Sequence, residues 1–160
     1  MVREEPPASV DRVIRALSSL GGRGVVRELD DSARTAKEAA DALGVEVDQI
    51  ANSLVFLGDG EPVLVVSSGG HRVDTMQLAA ILEVNEVAKA TADQVRKATG
   101  FVIGGVAPVG LTHPIRTIVD IALSRYNEVW AAAGHSHWVF PTTYDELLRL
   151  TAGEAAEVGA

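Results

Sequence analysis

Ile50-Ala51-Asn52-Ser53-Leu54-Val55-Phe56-Leu57 leads into Gly58-Asp59-Gly60, and Pro62 to Ser67 follows. Two apolar, β-rich runs around an Asp-Gly turn read as a β-hairpin. Both runs are apolar at nearly every position, where a half-exposed strand would be apolar only at every second one. Both faces of the hairpin are therefore expected to be covered by other parts of the chain. Asn52 is the exception inside the first run. A carboxamide there must find hydrogen bonds or cost roughly 1–3 kcal/mol. Either neighbouring backbone satisfies it, or it faces a cleft. Ser53 points to the opposite face of a regular strand.

On the N-terminal side, Val10, Val13, Ile14, Leu17 and Leu20 form a helical stripe over Ser9–Leu20 that Gly21-Gly22 ends. Gly24–Leu29 reads as a short strand, and Asp30–Arg34 as a polar connection. Thr35-Ala36-Lys37-Glu38 is a capping box, opening a helix to about Leu43 with Gly44 as its C-cap. On the C-terminal side, Asp74-Thr75-Met76-Gln77 and Thr91-Ala92-Asp93-Gln94 resemble further capping boxes, for helices ending near Leu82 and Gly100. Ile115–Ile121 reads as a strand ending near Asp120, and Leu123–Asn127 as a helical turn. Glu128–Ala133 and His137–Phe140 are strands either side of Gly134-His135. Thr143 opens a last helix carrying Leu147, Leu148 and Leu150. Helices and strands mix without strict βαβ alternation, which predicts an α+β domain with a mixed, largely antiparallel sheet. The expected organisation is a loose tail over 1–8, one domain over 9–152, and an acidic tail over 153–160 that frays.

The 160 residues suffice for one core, and 47% apolar content is ordinary for a globular protein. No apolar run reaches the length of a membrane span, and the N-terminus lacks the apolar stretch of a signal peptide. There is no cysteine. That excludes disulfides, thiolate metal sites and a cysteine nucleophile, and it fits a cytoplasmic location. The net charge of −8 argues against a general binder of DNA or other long nucleic acid. Arg34, Lys37, Arg72, Lys89, Arg96, Lys97, Arg116 and Arg125 are scattered. They read as solvated surface, with a small footprint on an RNA end as the alternative.

The most distinctive chemistry lies in Gly104-Gly105-Val106-Ala107-Pro108-Val109-Gly110, entered from the apolar run Phe101–Ile103. The plain reading is a strand followed by a tight connection. The functional reading is a loop whose backbone N–H groups hold a carbonyl oxygen or an oxyanion without a reactive side chain. It is not a P-loop, since no Gly-Lys-Ser/Thr follows, and its glycines lack the dinucleotide-binding spacing. No Gly-x-Ser-x-Gly elbow is present. His135 and His137 would share a face of an extended segment, but a metal needs a third ligand. They read equally as loop histidines, or with His135 lining a pocket. Asp120 closes an apolar strand, as a turn-starting residue or as a functional one.

Several of these stretches together resemble the YbaK family, also called the prolyl-tRNA-synthetase-associated or editing domain family. They are Ser32-Ala33-Arg34-Thr35, the Ala39-Ala40…Leu43-Gly44 helix, Gln49 to Phe56, Gly104 to Gly110, Val119-Asp120, and Ala132-Ala133-Gly134-His135. The resemblance spans roughly Gly24 to Leu150. It implies a mixed, partly closed sheet with helices packed around it. It implies hydrolysis, in trans, of the ester joining a wrong amino acid to the 3′ end of a tRNA, with water as nucleophile and a tRNA ribose hydroxyl assisting. No metal or organic cofactor is implied. By the same resemblance Gly104, Gly105, Val106 and Ala107 would contact the carbonyl, and Pro108 would fix the loop. Asn52 would orient the substrate or terminal adenosine, and Ser53, Asp120, Gly134 and His135 would line the pocket. Many members carry a lysine where this chain has Asn52. That departure motivates the alternative of a weak or inactive homologue that binds an aminoacyl or nucleotide-like ligand, or an aminoacyl-tRNA synthetase.

Overall fold

The computed structural model describes residues 6–31 and 33–160. Met1–Glu5 of the expected N-terminal tail, and Ser32 of the family-like stretch, lie outside the described residues. The chain runs α1 (Ala8–Leu20), β1 (Arg27–Glu28), α2 (Ala36–Leu43), β2 (Ile50–Gly58), β3 (Glu61–Ser68), α3 (Thr75–Leu82) and β4 (Val87–Lys89). It continues α4 (Ala92–Thr99), β5 (Arg116–Asp120), β6 (Val129–Ala132), β7 (Trp138–Thr142), α5 (Tyr144–Thr151) and β8 (Glu154–Ala156). Among the described residues the strands form one sheet in the order β1-β7-β6-β2-β3-β5-β8, with β4 paired to β2. The pairings β1–β7, β2–β3, β2–β4 and β6–β7 are antiparallel; β2–β6, β3–β5 and β5–β8 are parallel. The fold is the expected α+β class, with a mixed, mostly antiparallel sheet.

The β2–β3 hairpin is the centre of the sheet, paired from Ala51↔Ser68 to Gly58↔Glu61. Its turn puts Asp59 at φ 47 and Gly60 at φ 86, the two left-handed residues a tight hairpin needs. Alternate β2 side chains serve two cores. Ala51 and Val55 join Val106, Ala107, Val95 and Phe140 on one face. Ile50 joins Trp130, Ala39 and Ala40 on the other, under α2. Helix α2 starts as its sequence requires: the Thr35 hydroxyl accepts from Glu38 N–H, and the Glu38 carboxylate accepts from Thr35 N–H.

Four local expectations are corrected. Only Arg27–Glu28 of Gly24–Leu29 pairs as a strand. Phe101–Ile103 is not a strand; Val102 and Ile103 stand 69% and 55% exposed beside an irregular turn. Asp74 caps α3 through Met76 and Gln77 N–H, but the Gln77 amide donates to Glu157 O at 2.6 Å, so no reciprocal box forms. The C-terminal segment does not fray. Glu154–Ala156 adds a parallel strand to β5, Val158 is fully buried, and Arg72 N–H donates to Ala160 O. Alternating small apolar residues in that tail, too few to register as a strand in sequence, find an open sheet edge.

Candidate functional site

The sheet has a gap. Strand β6 pairs with β2 only at Ile50 and Ala51, and β4 pairs only at Phe56 to Gly58. Ala90 N–H extends the second contact to Val55 O at 3.2 Å. Asn52, Ser53 and Leu54 therefore have no strand neighbour on that edge. Because the Val55 carbonyl points to this edge, the alternation of an antiparallel ladder points the backbone of Ser53 there too. A cavity of about 450 Å³ opens over the gap. Asn52 and Ser53 of β2, Gly104 and Val106 of the glycine loop, and Arg34 and Lys37 at the start of α2 line it, with the Arg34 stem packed on Gly104.

The two β2 residues face opposite ways. Ser53 shares the Ala51–Val55 face, toward the glycine loop. Its Oγ is buried and has no hydrogen-bond partner among the described residues. Asn52 shares the Ile50 face. Ile50 is registered with Trp130, so Asn52 and Trp130 lie on one side of the sheet, beneath α2.

The glycine loop is a tight turn pressed on the next loop. Gly105 N–H donates to Val102 O at 3.0 Å. Among the described residues no acceptor engages the N–H groups of Gly104, Val106 or Ala107. Gly104 sits at φ +94, a conformation that side chains rarely adopt. A Cβ on Gly105 would lie 2.8 Å from His135 Cα and 2.9 Å from His135 N. The two family-like loops are thus stacked backbone to backbone, and the fit requires a glycine.

The structure distributes the expected site residues unevenly. Gly104, Val106, Asn52 and Ser53 line the cleft. Gly105 and Ala107 are buried behind that wall, and Pro108 lies on the far side of the loop, in a separate groove. Gly134, at φ +97, packs against Ser9 O and Phe101, and His135 is exposed with its Nδ1 accepting from His137 N–H at 3.3 Å. Their side of the loop supports the wall from behind. Asp120 does not line the cleft. It is fully buried, with Oδ2 accepting from Ser68 N–H and Oδ1 from Ala122 N–H, both at 3.0 Å. His71 Nδ1 lies 3.0 Å from Oδ2, close enough for an ion pair but not aligned for a hydrogen bond. Asp120 ties the ends of β3 and β5 together, the turn-starting role that its position also allowed. The rings of His135 and His137 are 5.7 Å apart, and among the described residues no group of three acidic or histidine side chains converges on a metal position.

Sequence reasoning missed the cationic rim. Arg34, Lys37 and Lys89, read as scattered surface, all line this one cleft. Trp130 was read only as part of a strand, yet it lines the cleft with its Nε1 buried and unpartnered. The capping box did place Lys37 at a helix start. Nothing in the sequence placed that start across from Asn52.

A cleft with free backbone donors on one wall and a cationic rim defines a site for a ligand with a carbonyl and an anionic portion. Residues 30–150 match the family described as the aminoacyl-tRNA editing domain, and the chain belongs to that family. It is similar over 98% of its length to a crystal structure of a candidate trans-editing enzyme for prolyl tRNA synthetase, with a TM-score of 0.91, 42% identity and 99% of that chain covered. It is 34% identical over 130 residues to the uncharacterized protein YwhH of Bacillus subtilis, covering 76% of this chain and 78% of that one. It is 29% identical over 122 residues to the proline–tRNA ligase of Bacillus licheniformis, covering 74% of this chain but only 21% of the ligase.

Proposed function

We propose that the protein is an aminoacyl-tRNA deacylase that acts in trans, in the cytoplasm, on the ester of a mischarged tRNA. The observation that carries this reading is the pair of unengaged N–H groups at Gly104 and Val106 beside the open edge of β2. The carbonyl oxygen of the ester sits against the wall formed by Gly104 and Val106. The α-ammonium is held from below by the Ser53 backbone carbonyl and Oγ. Water adds to the carbonyl carbon, and the carbonyl electron pair moves onto oxygen, where the loop N–H groups stabilise it. Collapse breaks the acyl–oxygen bond. The ribose oxygen leaves with the proton that water gives up, relayed by the neighbouring ribose hydroxyl. The products are a free amino acid and an uncharged tRNA. The chain's contribution is positioning and preformed donors, so no step is assigned to a side-chain base.

Asn52 favours a second reading, a slow deacylase or a binder. A carboxamide donates and accepts but carries no charge. The test is a deacylation time course on alanyl-, cysteinyl- and seryl-tRNA of several tRNA species, with wild type beside Asn52→Lys and Gly105→Ala. Turnover by wild type that Gly105→Ala abolishes supports the enzyme. A silent wild type rescued by Asn52→Lys supports the binder on an intact scaffold. Silence in all three at micromolar protein overturns the deacylase.

A further inference from the structure

Helix α1 lies outside residues 30–150, the part of the chain that matches the editing-domain family, yet it holds the glycine loop from behind. The segment that carries the loop leaves α4 at Thr99 and is closed at its neck by Thr112, whose N–H donates to Thr99 O at 3.2 Å. Arg12 of α1 stands at that neck. Its Nε donates to Gly110 O at 2.6 Å and its Nη2 to Thr99 O at 3.4 Å. One guanidinium thus joins the residue before the loop to the loop's last glycine. Two glycines let it come so close. A Cβ on Gly100 would lie 2.7 Å from Arg12 Nη2, and one on Gly110 would lie 3.2 Å from Arg12 O. The guanidinium also covers the buried Phe101 ring, 4.5 Å from its centroid. Phe101 Cε1 would be 3.1 Å from a Cβ on Gly134, and the next residue, His135, is the one on whose backbone Gly105 rests. Contacts therefore run from Arg12 through Phe101 and the Gly134-His135 turn to the middle of the glycine loop. Arg12 itself does not line the cleft. Among the described residues it makes no ion pair, whereas Arg15, Arg96, Arg116 and Arg149 each meet a carboxylate.

We propose that Arg12 is a positioning residue of the site: it touches no substrate, but it ties both ends of the loop that presents the Gly104 and Val106 N–H groups. Donors that stabilise an oxyanion work by being held in place before the reaction, so a loop built of glycines needs its ends fixed from outside. Arginine suits that task. Separate N–H groups of one planar fork reach two carbonyls while the face of the fork stacks on a ring, and a lysine ammonium cannot do both. A charged donor also makes the stronger bond to a carbonyl. The inference rests on the deacylase reading for the reaction that the loop serves, but the tie itself is measured without turnover.

Arg12→Met keeps an apolar stem over Phe101 and removes the donors. Arg12→Lys keeps the charge and loses the fork, and it carries the same comparison should the methionine variant not fold. Arg15→Met is the control, an exposed residue of the same helix paired with Asp11 at 2.9 Å. Two readouts are taken on the full-length protein. The first is backbone amide hydrogen exchange at Gly105, whose N–H donates to Val102 O, compared with Val65 in the middle of β3, which is paired on both sides. The second is deacylation of alanyl-, cysteinyl- and seryl-tRNA. In Arg12→Met, exchange at Gly105 should rise about tenfold or more while Val65 stays near wild type. Its kcat should fall about tenfold or more with KM within about twofold. Arg12→Lys should recover part of both losses, and Arg15→Met should show neither. Unchanged exchange at Gly105, or a rise no greater than that at Val65, overturns the proposal. So does a loosened loop with wild-type kcat, or a KM that rises at constant kcat. A silent wild type removes the deacylase reading alone, and the exchange pattern then decides whether Arg12 ties the loop.

Discussion

Gly105→Ala tests the site where structure and chemistry meet. The added Cβ would stand 2.8 Å from His135 Cα, 2.9 Å from its N and 3.1 Å from its C. Carbon contacts are most favourable at about 3.5–4.0 Å, so one loop must retreat by roughly half an ångström or more. The His135 side cannot yield easily. Trp138 N–H donates to His135 O at 3.0 Å and Ala133 N–H to Trp138 O at 2.8 Å, which closes that turn onto the sheet. The glycine loop therefore moves. Overpacking of this kind costs about 1–3 kcal/mol, which for a domain of this size is a drop in Tm of about 4–8 °C at the middle of that range. The displaced donors leave the 2.7–3.1 Å range that oxyanion stabilisation needs, a loss of about 10²–10³ in kcat. KM should change little, because the floor and the rim are untouched. The assay pairs thermal unfolding with single-turnover deacylation. Gly44→Ala is the control. Gly44 is also left-handed, at φ +70, but nothing lies within 4 Å of its added Cβ. It should lose about 1 kcal/mol of stability and no activity. A Gly105→Ala enzyme with wild-type kcat would refute the assignment of the loop as the oxyanion wall.

Asp120→Ala should cost about 2–4 kcal/mol in urea unfolding, because Ser68 and Ala122 N–H lose their buried acceptor. The rate per folded molecule should stay near wild type; a selective loss of kcat would return Asp120 to the site. Ser53→Ala removes a buried hydroxyl that has no partner, so stability should hold or rise by up to about 1 kcal/mol while KM rises several-fold. An unchanged KM would remove Ser53 from substrate binding. A chain ending at Gly153 loses β8 and the fully buried Val158. It should be less stable by at least about 2–3 kcal/mol, and an equal Tm would show that the C-terminal strand contributes nothing.

What the sequence made legible was local. The hairpin was readable because Asp59-Gly60 specifies the turn and fixes the register of everything paired through it. The helices were readable because Thr35 and Thr91 announce their own caps. The misreadings came where pairing, not propensity, decides. Val87–Lys89 has no strand-like pattern of its own and is held by the edge of β2. The tail from Glu154 is short and acidic, yet β5 offers it a parallel edge. Phe101–Ile103 is apolar and β-branched, yet Gly104 and Gly105 turn the chain before it can pair, and Val102 and Ile103 are left exposed. The site was legible in half. Backbone donors are announced by glycines, so the loop could be singled out. Arg34 and Lys37 at the start of α2, Lys89 of β4 and Trp130 of β6 come from parts of the chain that meet only in space, and no spacing rule joins the three.

The cleft itself follows from an interruption in the sheet rather than from any one residue. A β2 paired along its whole length would be a buried central strand with every backbone group used. Strands β6 and β4 each take one end and leave the middle, and an apolar chain would normally be penalised for that. Placing Asn52 and Ser53 there is consistent with the interruption, since both tolerate an edge that is wet or filled by ligand. Their opposite directions then divide the cleft into a Ser53 side, which faces the glycine loop, and an Asn52 side, which faces Trp130. On this argument the lysine that the family resemblance implies at position 52, and the asparagine here, act on substrate binding before the chemical step. Asn52→Lys should therefore change KM for tRNA substrates more than kcat. The opposite result, a kcat gain at constant KM, would mean that residue 52 reaches the ester and that the two sides of the cleft are not separate.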